Sequence, residues 1–79
     1  MVTALLGARA KVDRPDIYGQ TPLLIASQEG HVEVVTALLD AGADVNRPDT
    51  DGVTPHYVAF HKGHMKVVTA LLGAGADVN

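Results

Sequence analysis

Four histidines, a single serine and a set of loop aspartates are the residues of this 79-residue chain with the means to do chemistry. A zinc site needs several His, Cys or acidic ligands converging on one point. His61 and His64 stand at i, i+3, but Gly63 between them is expected to break the helix. His56 and His61 fall on different helix faces, and neither a cysteine nor a carboxylate cluster completes a set. Ser27 and His31 are four residues apart, close enough to meet across a helix end. No nucleophile elbow surrounds Ser27, however, and no acid is placed to orient His31. Asp13, Asp16, Asp49 and Asp51 lack the compact ligand run and bidentate acid that calcium requires, so turn stabilisation is their expected role. No glycine-rich phosphate loop is present. The residues therefore predict no catalytic site, no metal and no cofactor.

Composition narrows the field further. The formal charge is −3, with nine acids and six bases spread along the chain, and the aromatics are Tyr18, Tyr57 and Phe60 alone. Neither a basic stripe for phosphate backbones nor a set of rings for stacking on bases is there, which argues against nucleic acid. Met1 to Leu6 is apolar but too short for a signal peptide, with no positive residue before it. No apolar run approaches the ~20 residues a membrane span needs. The lack of cysteine fits a reducing, intracellular setting, cytoplasmic or nuclear. A chain this short buries only about 60% of its unfolded surface, so modest stability is expected.

The elements that must position these side chains follow from a repeat. Val-Thr-Ala-Leu-Leu begins at Val2, Val35 and Val68, a spacing of 33 residues both times. Val2–Val34 and Val35–Val67 agree at 18 of 33 positions. Most of the agreements are glycines, prolines, threonines and small apolar residues, whose roles are geometric. A fixed period of this length signals stacked supersecondary units.

Thr21-Pro22 and Thr54-Pro55 are helix-start signals, with Thr as cap and Pro at the first helical position. They predict short helices from Pro22 to about Glu29 and from Pro55 to about Lys62, ended by Gly30 and Gly63 in the left-handed conformation. Second helices are predicted from Val32 to Asp40 and from Met65 to Gly73, closed by Gly42 and Gly75. In the first of these, Val34, Val35, Leu38 and Leu39 form an apolar stripe expected to face the core. Between units, the Pro, Asp and Gly of residues 43–52 and of Lys11–Gly19 predict β-turn or hairpin-like loops.

These residues resemble the ankyrin repeat. Gly19-Gln20-Thr21-Pro22-Leu23 and, less faithfully, Gly52-Val53-Thr54-Pro55-His56 are similar to its opening. Gly30-His31 with Val35, and Gly63-His64 with Val68, match its middle. Leu38–Asn46 and Leu71–Asn79 match its close. The resemblance covers essentially the whole chain and implies an all-α repeat solenoid of helix-turn-helix units joined by hairpin-like loops. The divisions are a partial repeat at 1–15 and repeats at 16–48 and 49–79.

The departures are as informative. Leu24 and Tyr57 replace a family histidine that ties neighbouring loops by hydrogen bonds. His56 takes a position the fold expects to bury, where it needs a partner. Phe60 stands where the family prefers Ala, between closely packed helices, and is expected to force a shift. Arg9 replaces a glycine at a helix end, an unfavourable site for a residue with a Cβ. The first and last repeats have no evident polar cap, so self-association through an exposed end is expected.

Function is sought where the copies differ. Ile17, Tyr18 and Gln20 become Thr50, Asp51 and Val53, while Gln28 and Glu29 become His61 and Lys62. In the family the corresponding loop tips and first-helix positions line the concave recognition face. The resemblance thus implies a non-catalytic protein-protein interaction module contacting its partner through these ten residues, with Tyr18 the best single anchor. The alternative is a structural spacer, or a truncated or engineered repeat fragment, with no partner of its own.

Overall fold

The computed structural model describes residues 12–76. Arg9, the segment around Val2 and the closing Val78-Asn79 lie outside them. Among the described residues the chain forms four helices and no strand: α1 (Pro22–Glu29), α2 (Val32–Asp40), α3 (Pro55–His61) and α4 (Met65–Gly73). The first helix of each pair starts for the same local reason. Thr21 and Thr54 hold extended backbone, and their hydroxyls accept the N–H groups of Leu24 and Tyr57 at 3.2 Å. Pro22 and Pro55 sit at the helix start, where a missing N–H removes nothing. Gly30, at φ 74°, turns the chain out of α1, and the N–H of His31 then reaches the carbonyl of Ala26. In the second unit α3 ends at His61, in keeping with the predicted end at about Lys62. Lys62 is its cap, still in the right-handed helical region, and Gly63 takes the left-handed turn at φ 76°.

Each loop before a first helix is a β-turn locked by one aspartate. The N–H of Gly19 donates to the carbonyl of Asp16 at 3.0 Å, and Asp16 N–H donates to the Gln20 carbonyl. One carboxylate oxygen of Asp16 accepts the N–H groups of Tyr18 and Gln20 at 2.8 and 2.9 Å. Asp49 repeats the arrangement with Gly52, Asp51 and Val53. The aspartates therefore satisfy turn backbone, as the sequence indicates.

The core is aliphatic and small: Leu23, Ala26, Val35, Ala59, Val67, Val68 and Leu71, with Leu38, Leu39 and Val32 packed at its edge. Full burial of a Leu or Val side chain contributes about 1.5–3 kcal/mol, so these few residues carry much of the stability. The expected stripe on α2 is only partly buried. Val35 is fully enclosed and Leu38 and Leu39 are half-buried, but Val34 is exposed.

Two further expectations are corrected. Phe60 is not wedged between helices; it projects from α3 into solvent. His56 is half-buried rather than enclosed, its ring stacked over Phe60 at 6.5 Å and 3°. Both corrections have one cause. Burial at these positions depends on the neighbouring unit as well as on the helix that carries them.

Candidate functional site

The hairpin tips and the ends of the first helices contain every residue at which the units diverge on the expected recognition side. Ile17 is 86% exposed and Tyr18 62% exposed, side by side at the first tip. Together they form a small exposed apolar patch. Their backbone is fixed from both sides. The Asp16 carboxylate holds the Tyr18 N–H, while the Tyr18 carbonyl accepts two bonds from the next unit. Thr50 supplies both, through its N–H at 3.1 Å and its hydroxyl at 3.0 Å. Gly19 makes this approach possible, since a Cβ there would lie 2.8 Å from the Thr50 nitrogen.

Thr50 is thus both a loop-tip residue and the tie between loops. That tie, with the bond from the Asp44 N–H to the Asp13 carboxylate at 2.8 Å, joins loops that lack the family's histidine at Leu24 and Tyr57. Sequence comparison of the copies does not reveal this, because Thr50 replaces Ile17, which shares no such role. At the second tip Asp51 is exposed and Val53 half-buried; Gln20 is half-buried like Val53.

At the helix ends, Glu29 is exposed and Gln28 is half-buried, its carbonyl bonded across the unit boundary to His64 Nε2 at 3.1 Å. His61 and Lys62 are exposed, and the His61 ring stacks on Tyr57 at 6.0 Å. The first unit therefore offers apolar bulk at its tip and an acid at its helix end. The second offers an acid at its tip and basic or imidazole groups at its helix end. Ile25, also exposed on α1, is an apolar neighbour that the comparison of copies passes over. Its equivalent, Val58, is a similar residue but buried, so only the structure separates them.

Ser27 is fully buried and its hydroxyl lacks a hydrogen-bond partner, so it is neither reachable nor activated. Among the described residues no three His, Cys, Asp or Glu side chains cluster as metal ligands. Surface depressions of about 200 and 300 Å³ lie beside Gly30 and His64 and beside His31 and Glu33. They reach only the lower limit of ordinary small-molecule pockets, ~300 Å³. No helix among the described residues is long and apolar enough to cross a membrane.

Residues 1–79 match a family model described as ankyrin repeats, in three copies. No curated protein matches the chain.

Proposed function

We propose that this chain, which belongs to the ankyrin-repeat family, binds a protein partner through its two hairpin tips and the exposed ends of α1 and α3, and performs no catalysis. Ankyrin repeats are generally protein-interaction modules. One observation supports this surface above all: Ile17 and Tyr18 are exposed on backbone held by Asp16 and Thr50. A rigid exposed aromatic loses little conformational freedom on binding and can fill a partner pocket. Gln20, Val53 and Thr50 extend that contact along the tips. Gln28 adds a polar contact, and Glu29, Asp51, His61 and Lys62 set charge preference at its rim, which governs selectivity and association rate more than affinity.

The test is capture from an extract by the immobilised chain and by a Tyr18→Ala variant of equal melting temperature. Proteins retained by the first and lost by the second support the surface. Identical capture by both would put the contact elsewhere on the chain, and none by either favours the spacer reading. A second proposal concerns the ends of the stack. Large apolar side chains of α3 and α4 are exposed, which supports self-association.

A further inference from the structure

Tyr18 and Asp51 occupy the same position in successive units. Thr50, one residue before Asp51, donates its N–H and its hydroxyl to the Tyr18 carbonyl at 3.1 and 3.0 Å. Backbones joined by such a bond run about 5 Å apart, so the phenol and the carboxylate start within reach of one long side chain. Both residues are exposed, and neither exposure depends on where the stack ends. Tyr18 is open with the second unit beside it, and Asp51 is open with the first unit beside it. Among the described residues Tyr18 stacks on no other ring, and nothing bonds the Asp51 carboxylate. The turns that carry them are fixed in advance, since Asp16 and Asp49 each hold two N–H groups with one carboxylate oxygen.

We infer that these two tips seat an arginine side chain of the protein partner, its guanidinium against the Tyr18 ring and its N–H fork on the Asp51 carboxylate. This rests on the recognition surface proposed above and adds the side chain that the surface takes. A cation is drawn to the face of an aromatic ring. The guanidinium is also planar, so it can stack on that ring while its paired donors match a carboxylate; an ammonium offers only a point charge. The methylene stem of arginine can lie on apolar surface, which Ile17 provides beside Tyr18.

The surrounding charge agrees with this occupant. Asp16 and Asp49 add negative charge around the tips, and the chain as a whole carries a formal charge of −3. Arg14 and Arg47, each two residues before the aspartate that locks its turn, form no ion pair with Asp51. The bases of the recognition side, His61 and Lys62, lie at the opposite end of α3. A partner that is basic where it meets the tips is therefore complementary, and one that is acidic there is repelled.

The experiment selects a random peptide library, displayed on phage, against the immobilised whole chain, and measures the enriched peptides by calorimetric titration. The expected result is a set of peptides that share an arginine beside apolar residues and bind less tightly as salt is added. Asp51→Asn, which keeps the size and removes the charge, should weaken them roughly tenfold, and glutamine in place of the peptide arginine should do the same. Asp51 is exposed and its carboxylate holds nothing in the chain, so this variant should keep its melting temperature. Glu33→Gln, an equal loss of charge on exposed α2 surface, should leave the affinity unchanged. Enriched peptides without arginine, or ones that bind Asp51→Asn as tightly as the original chain, would overturn the inference. If those peptides are still lost on Tyr18→Ala, the recognition surface stands and only its occupant is wrong. Peptides indifferent to Tyr18→Ala as well, or a library that yields no binder, would count against both.

Discussion

The carbonyl oxygen of Tyr18 accepts both the backbone N–H and the hydroxyl of Thr50, at 3.1 and 3.0 Å. This one acceptor joins the two hairpins and holds the backbone beneath the most exposed aromatic of the first unit. Scaffold and proposed recognition surface meet at this atom. The Thr50 N–H could be offered by any residue but proline; the hydroxyl is particular to the side chain. Thr50→Val should therefore keep the fold and lose about 0.5–1 kcal/mol of stability, the range for a solvent-accessible hydrogen bond. Urea unfolding of the two chains reads this directly. An unchanged midpoint would show that the hydroxyl bond contributes nothing net.

Equivalent glycines should not be equally sensitive. Gly19 and Gly52 both have positive φ, 75° and 83°. A Cβ on Gly19 meets the Thr50 nitrogen at 2.8 Å, while a Cβ on Gly52 meets nothing within 4 Å. Gly52→Ala should cost about 1–2 kcal/mol for the left-handed conformation alone. Gly19→Ala should cost that and more, because the loops must part. Gly30 and Gly63 form a second such pair, with the His64 ring 2.7 Å from a Cβ on Gly30 and open space at Gly63. Equal melting temperatures within each pair would contradict the described contact between units.

Ser27→Ala should stabilise the protein. Its hydroxyl is buried without a partner, and such a group carries a desolvation penalty of about 1–3 kcal/mol. Alanine keeps the small volume the helix contact demands, so a rise of about 1 kcal/mol in unfolding free energy is expected. A fall in stability on chemical denaturation would mean that the hydroxyl is bonded after all.

The helix caps differ in depth. Thr21 is fully buried and Thr54 only half-buried, though each accepts one N–H. Loss of a threonine cap costs about 0.5–2 kcal/mol. Thr21→Ala should fall at the upper end and Thr54→Ala at the lower, as measured by thermal unfolding. The reverse order would show that α3 depends on its cap more than its exposure suggests.

These residues also show what can be read from sequence. Thr21, Pro22, Gly30 and Asp16 act within a few residues of themselves, so the boundaries of α1 and α2 and the turn before them were legible in order. Val34, Phe60 and His56 are not legible in this way. Each sits on a face whose burial is decided by the next or the preceding unit, and periodicity within one helix does not contain that information. Comparison of the copies singles out Tyr18 and Ile17 because they change. The same comparison hides the bond from Thr50 to Tyr18, since it joins positions that are not equivalents. The Tyr57 and Phe60 face was visible as a pair of departures, but its exposure became legible only once the stacking of the units was known.

The central claim is that Tyr18 serves recognition and leaves the fold alone. The most direct measurement is the affinity of a captured partner for the chain and for Tyr18→Ala, made together with both melting temperatures. The account predicts that affinity falls by about 2 kcal/mol or more, roughly thirtyfold, while the melting temperature stays within about a degree. A variant that binds the partner as tightly as the original chain, or that loses binding only in step with its melting temperature, would contradict it.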